Sequence, residues 1–211
     1  MNILLIGFGK INQIVYKNNT SDIVGIVDVD KKFIYQKPDI IIDFSHPNML
    51  DKVIKYASLY KVPVLIGTTG YNEEKIAQIK ELSLIVPVLI SSNFSQGIAI
   101  ISKVLKDNIL YLNKYEKKIV EIHQKDKSDK ISGTAIMLAN LIKTDNVFAE
   151  RIETSAGEHR IKFSSEFEEI EISHIAKNRN VFVLGAMKAA SWLVNQPAGL
   201  YSFEDTFYEQ V

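Results

Sequence analysis

Ile3-Leu4-Leu5-Ile6-Gly7-Phe8-Gly9-Lys10-Ile11-Asn12, close to the start of the 211-residue chain, decides the fold. The apolar run at its head reads as a buried strand, and the glycine pair leads directly into a helix. Gly7 permits a tight turn, and Gly9 lets a backbone approach a pyrophosphate, which would then sit at a positive helix N-terminus. Phe8, Lys10 and Ile11 complete the loop and first helical turn. The third glycine of such a fingerprint is absent, and Asn12 stands there. Taken alone, the pair is equally an ordinary strand-to-helix turn. Its setting favours a dinucleotide, because Asp28 ends the next apolar run, Ile23–Val27, where an acid would accept hydrogen bonds from ribose hydroxyls. An acid there repels a 2′-phosphate and favours NADH, while Lys31 and Lys32 oppose that repulsion.

Outward from this stretch, further Ile- and Val-rich runs recur at residues 40–44, 62–66 and 86–90, as strands covered on both faces do. Leu50-Val53-Ile54-Ala57 and Ile76-Ile79-Leu82 recur at helical spacing between them. Strands alternating with helices predict a doubly wound parallel sheet. The runs end in Asp43-Phe44-Ser45-His46-Pro47, Gly67-Thr68-Thr69-Gly70 and Ser91-Ser92-Asn93-Phe94-Ser95. These loops would lie at carboxyl ends of strands, where open α/β sheets bind ligands. Any one of them is compatible with routine turn chemistry. Together they point to a nicotinamide site using Phe44, Ser45, Gly67, Thr68, Thr69, Ser92, Asn93 and Phe94.

After Ser92 the rhythm changes. Residues 98–112 read as a long helix, 117–123 as a strand, 134–142 as a helix, 160–163 and Glu169–Ile175 as strands, and 181–194 as a helix before an irregular tail. Consecutive strands here predict a second, smaller α+β domain with a mixed or antiparallel sheet. Apolar residues make up 46% and charged residues 24%, ordinary for a globular protein. Basic and acidic residues balance at 25 each, so no general attraction to nucleic acid or anionic membrane is expected. The absence of cysteine excludes disulfides, thiolate metal sites and a cysteine nucleophile. No metal site, signal peptide or membrane helix is expected, and the composition fits a reducing, cytoplasmic compartment.

The segment richest in chemistry is Glu121-Ile122-His123-Gln124-Lys125-Asp126-Lys127-Ser128-Asp129-Lys130-Ile131-Ser132-Gly133-Thr134-Ala135. A strand ends at a histidine, a lysine-rich loop follows, and Ser132-Gly133-Thr134 opens a helix. The amides of Gly133 and Thr134, with the hydroxyls of Ser132 and Thr134, can hold a carboxylate at the helix start. Lys127 adds a charge, and His123 can donate a proton near neutral pH. Each residue also has a plainer reading: a structural histidine, a solvated loop, an N-cap.

In combination these motifs resemble the dihydrodipicolinate reductase family nearly end to end. The resemblance continues through Gly157-Glu158-His159, His174-Ile175-Ala176 with Arg179, Gly185-Ala186 and Gly199-Leu200-Tyr201. It implies a Rossmann-type parallel-sheet domain at 1–94 and 177–211, and a substrate-binding and oligomerisation domain at 95–176. It implies reduction of a small cyclic dicarboxylate, 4-hydroxy-tetrahydrodipicolinate, by NADH or NADPH in diaminopimelate and lysine biosynthesis, within a cytoplasmic homotetramer. His123 matches the proton donor and Lys127 the catalytic lysine. Ser132, Gly133 and Thr134 match the substrate-carboxylate cradle.

The chain departs from the pattern in places. Gln124 replaces a second histidine, which keeps a hydrogen bond to substrate but no charge and implies weaker binding. Lys130-Ile131 replace Ala-Pro, Val29 replaces an arginine after the strand-end acid, and two segments are short, between Asp28 and Asp43 and between Ile142 and Arg151. The alternative is a non-catalytic dinucleotide-binding paralogue or sensor, which needs Gly7 and Gly9 but not the His123-to-Thr134 segment.

Overall fold

The computed structural model describes residues 1–124, 131–152 and 157–210. The chain forms two compact units, Met1–Phe94 with Phe182–Val211, and Ser95–Val181.

The first unit is a seven-stranded sheet. Its strands are β1 (Ile3–Ile6), β2 (Ile23–Val27), β3 (Lys32–Ile34), β4 (Ile40–Asp43), β5 (Val64–Ile66), β6 (Pro87–Ile90) and β11 (Gly199–Tyr201). They lie in the order β11-β6-β5-β4-β1-β2-β3. Every side chain of β1 is fully buried. Helices covering both faces of a parallel sheet demand such runs, and each buried Ile or Leu contributes about 1.5–3 kcal/mol. Helices α1 (Lys10–Asn18), α2 (Leu50–Tyr60) and α3 (Glu73–Ser83) alternate with the strands. Leu50, Val53 and Ala57 of α2 and Ile79 and Leu82 of α3 pack on β4 to β6.

Pairing is parallel except at one edge, where β3 runs antiparallel to β2. The short stretch between Asp28 and Asp43 explains this. A crossover helix does not fit, so a turn closes with Asp28 N–H donating to Lys31 O at 2.7 Å, and the chain adds an edge strand before entering β4. At the opposite edge β11 pairs with β6. The tail, irregular on sequence grounds, therefore contributes a strand.

The second unit has α4 (Gln96–Leu112), β7 (Glu116–Gln124), α5 (Gly133–Ile142), β8 (Val147–Ile152), β9 (Glu158–Ser164) and β10 (Glu169–Ile175). The sheet order is β10-β9-β7-β8, antiparallel except for the parallel β7–β8 pair. Burial along β9 alternates strictly. His159, Ile161 and Phe163 face the core formed with Leu105, Leu138 and Ile142 of α4 and α5. Lys162 lies on the other face, paired with Glu169 and Glu171. Ile172 of β10 packs into the α4–α5 core of its own unit. Helix α6 (Asn180–Leu193) crosses the boundary in sequence. Within the first unit, Gly185 lets α6 approach Phe94, whose carbonyl oxygen would lie 1.8 Å from any Cβ at that position.

Candidate active site

At the carboxyl ends of β1 and β4, the glycine loop is held by a close contact that leaves no room for a side chain at Gly7. Gly7 has φ +80°, and a Cβ there would meet the Cβ of Ser45 at 2.6 Å. Gly9 is the N-cap of α1 and offers no capping side chain. Asn12, at the third-glycine position, is fully buried, and its Nδ2 donates to Ile6 O at 2.8 Å and Gly7 O at 2.9 Å. A side-chain amide thus fixes the turn from beneath. Phe8 packs edge-on against Tyr16.

Beside this loop, Phe8, Gln13, Asp28, Val29, Asp30 and Lys31 line a cleft of about 420 Å³. Asp28 Oδ1 accepts from Val29 N–H at 2.9 Å, and Lys52 Nζ donates to Asp28 O at 3.1 Å. Lys52 is a cation near Asp28 that the sequence did not bring to notice, since it lies a helix away.

The loops after β4 and β5 are tied to one another. Ser45 N–H donates to Thr68 Oγ1 at 2.8 Å. Asp43, fully buried, accepts from Ser45 Oγ and from Tyr71 OH at 3.1 Å. Burial pushes the Asp43 carboxyl above its usual range, against the opposing effect of hydrogen bonds from Ser45, Thr68 and Tyr71. Burial, and then the neighbouring Asp43, push the Tyr71 hydroxyl upward too. A Cβ on Gly67 would strike the Phe44 ring at 2.0 Å, so the bare backbone of the second glycine loop lets that ring come close. Phe44 meets Phe94 edge-on, and Phe94 meets Phe203. Ser91 Oγ donates to Asn93 O at 2.7 Å. Thr69 and Ser92 are exposed. The sheet edge therefore gathers Gly7, Phe44, Ser45, Gly67, Thr68 and Phe94. These residues fit a dinucleotide: a bare helix N-cap for phosphate and glycines where a Cβ cannot stand.

In the second unit, Ser132 is the N-cap of α5, nearly fully buried, and its Oγ accepts from Ala135 N–H at 3.0 Å. The same oxygen lies 3.3 Å from His159 Nε2. Gly133 and Thr134 form the first turn. Beneath the cap lies Glu121, fully buried, whose carboxylate oxygens each accept from Ser132 N–H at 3.1 Å. Both terminal nitrogens of Arg151 lie 3.2 Å from its Oε1. His123 and Gln124 end β7, paired with Arg151 and Ile152 of β8. Lys127 lies outside the described residues. His174 Nε2 lies 2.9 Å from Ser95 Oγ, and burial pushes its imidazole below the usual range. Glu121, Arg151 and the side-chain role of Asn12 escaped the sequence reading. The available signal was an acid at a strand position that alternation from Ile119 assigns to the apolar face.

The comparisons with known proteins agree with this picture. The family described as "Dihydrodipicolinate reductase, N-terminus" matches residues 10–94, and "Dihydrodipicolinate reductase, C-terminus" matches 97–207. The chain is 38% identical to the 4-hydroxy-tetrahydrodipicolinate reductase of Thermosipho africanus (strain TCF52B), covering 95% of this chain and 93% of that one. It is 33% identical to the enzyme of that name from Staphylococcus carnosus (strain TM300), covering 97% and 99%. Its fold is shared with a dipicolinate-bound dihydrodipicolinate reductase from Paenisporosarcina sp. TG-14, with a TM-score of 0.71 at 20% identity over 97% of this chain and 99% of the other. Motifs, two-unit architecture and matches over both halves converge, and the chain belongs to the dihydrodipicolinate reductase family.

Proposed function

We propose that the chain reduces 4-hydroxy-tetrahydrodipicolinate to tetrahydrodipicolinate with a nicotinamide dinucleotide, on the route to diaminopimelate and lysine. The observation that carries this reading is the match of both halves of one reductase family along a single chain. The cofactor supplies hydride. The protein's part is to orient and polarise.

Gly7, Phe8, Gly9, Lys10 and Ile11 would receive the pyrophosphate at the start of α1, and Asp28 the adenosine ribose. Phe44, Ser45, Gly67, Thr68, Thr69, Ser92, Asn93 and Phe94 would frame the nicotinamide. Gly133 and Thr134 would hold a substrate carboxylate at the start of α5, with Ser132 capping that turn and Gln124 adding a hydrogen bond. Lys127 would stabilise negative charge passing into the ring, and His123 would give the proton that completes reduction. Holding two rings in near-attack geometry lowers the barrier further.

NADH should serve at least as well as NADPH, because Asp28 and Asp30 share one tight turn facing the cleft. A cytoplasmic homotetramer is the expected assembly. Phe148 and Ile152 of β8 and Ile175 of β10 stand exposed on the sheet face away from α4 and α5 and offer it an apolar surface. Among the described residues no helix is long and apolar enough to cross a membrane.

The test supplies substrate in situ from dihydrodipicolinate synthase and follows the absorbance of NADH or NADPH. Substrate-dependent loss of absorbance is expected. Dinucleotide binding without any turnover would instead mark a non-catalytic paralogue.

A further inference from the structure

Glu121 occupies a position where a charge is costly. It lies two residues past the fully buried Ile119 on β7 and is itself fully buried. A carboxylate removed from water persists only where other groups replace its hydration. Three elements supply them here. The register sets His159 of β9 opposite Glu121, and Arg151 of β8 opposite His123. Arg151 brings two N–H groups to Oε1 at 3.2 Å. Ser132 N–H reaches both oxygens at 3.1 Å, and His159 Nε2 lies 3.8 Å from Oε2. The sequence separation between Glu121 and Ser132 is 11 residues, so one carboxylate joins the end of β7 to the cap of α5.

Ser132 has extended backbone geometry, φ −73° and ψ 152°, which turns the next amides into the helix. Holding its N–H from outside the helix sets the direction of that turn. We infer that Glu121 is a positioning residue for the dicarboxylate substrate: through the Ser132 amide and the Arg151 guanidinium it fixes where the first amides of α5 point. This inference rests on the reading of Gly133 and Thr134 as the carboxylate cradle. Glu121 acts from behind the cap, through Ser132. With its oxygen at the Oε1 position an amide would keep Arg151 and one Ser132 contact, but its NH₂ would stand at the Oε2 position against Ser132 N–H, donor against donor, and no charge would face the guanidinium. The hold on the cap would then weaken, while the chemistry at His123 kept its groups.

The decisive variant is Glu121→Gln, read by steady-state kinetics and by titration with pyridine-2,6-dicarboxylate and, separately, with NADH. Substrate KM and dicarboxylate Kd should rise about tenfold or more, the effect of losing a charge-assisted contact. Turnover should stay within about twofold, because an interaction that serves binding alone moves KM and leaves kcat. NADH Kd should not change, and Glu121→Asp should restore part of the affinity. Unchanged dicarboxylate affinity in a folded variant overturns the inference. So does tighter binding, which would mean that Glu121 merely masks the Arg151 charge, and so does an equal loss in every readout. If Glu121→Gln does not fold, Arg151→Lys decides, since it keeps the charge but not the fork of two N–H groups. A severalfold rise in dicarboxylate Kd supports the inference, and no rise overturns it. Failure of the functional reading looks different: the unaltered protein would then neither reduce the substrate nor bind the dicarboxylate.

Discussion

Each unit buries an acid near the carboxyl end of a strand, and the two acids are treated differently. Asp43, at the end of β4, meets the hydroxyls of Ser45 and Tyr71, and burial pushes its carboxyl upward. Glu121, near the end of β7, meets the Arg151 guanidinium and a backbone amide. Hydroxyls tie one loop to another but carry no full charge to offset lost hydration. A guanidinium does. The contrast follows the work of each region. In the proposed reading the sheet edge of the first unit would shape backbone around a cofactor, a task suited to glycines and hydroxyls. In the proposed reading the α5 cap would meet a doubly anionic ring, which calls for an ordered electrostatic frame.

The largest effect is expected from removing the acid–base group proposed for the second unit. His123→Ala should lower turnover about 10²–10⁴-fold while moving substrate KM far less. Steady-state kinetics decide it, and near-native turnover would make His123 structural. A smaller effect is expected from Asn12→Gly, which recreates the missing glycine of the fingerprint. Two buried carbonyls, Ile6 O and Gly7 O, would lose their side-chain donor. That costs about 1–3 kcal/mol, with a few tenths of a kcal/mol more for glycine in place of asparagine inside a helix. Urea unfolding measures the loss. An unchanged midpoint would show that the turn holds without Asn12.

The Asp43 half of the contrast can be read from pH. A carboxyl raised in the folded state contributes stability that is complete below its unfolded value, about 3.9, and is lost as pH climbs through the raised folded value. Asparagine does not titrate. The stability of the unaltered protein relative to Asp43→Asn should therefore fall as pH rises from about 4 towards 8. Urea midpoints across that range check the sign, and a constant difference would mean that the hydroxyls compensate burial in full.

Most of the first sheet was legible because its central strands are covered on both faces and must be apolar throughout. The strands that went unread are β3, β8 and β11, and all three are edge strands. An edge strand needs one partner only, so its composition is weakly constrained: β3 is Lys-Phe-Ile and β11 Gly-Leu-Tyr. The glycine loop and the Ser132 cap were readable because a turn and a helix start have local signatures. The buried frame beneath the cap was not, because Arg151 and His159 reach Glu121 only through strand pairing. Asn12 stood in plain sight at the wrong residue type. Its role depends on a side chain reaching back across one turn to the strand end.

The smallest effect expected concerns cofactor preference. A carboxylate hydrogen-bonding both ribose hydroxyls is worth about 1.5–3 kcal/mol, and that contribution disappears when the 2′ oxygen carries phosphate. Asp28 cannot offer all of it, since Oδ1 already accepts from Val29 N–H within the turn. Part of its accepting capacity is thus engaged, so the share attributable to Asp28 should sit at the lower end, roughly a tenfold effect or less. Lys31 shares the turn, and Lys52 places its ammonium on the Asp28 carbonyl, so two cations temper the repulsion of a 2′-phosphate. Asp28→Ala should therefore lower the ratio of NADH to NADPH catalytic efficiencies by about three- to tenfold at fixed ionic strength, and added salt should shrink the difference. Lys52→Met should move the ratio the other way by less. An Asp28→Ala protein with an unaltered ratio would place the ribose elsewhere in the cleft, and a native protein preferring NADPH by about tenfold would show that the cations of this turn outweigh its acids.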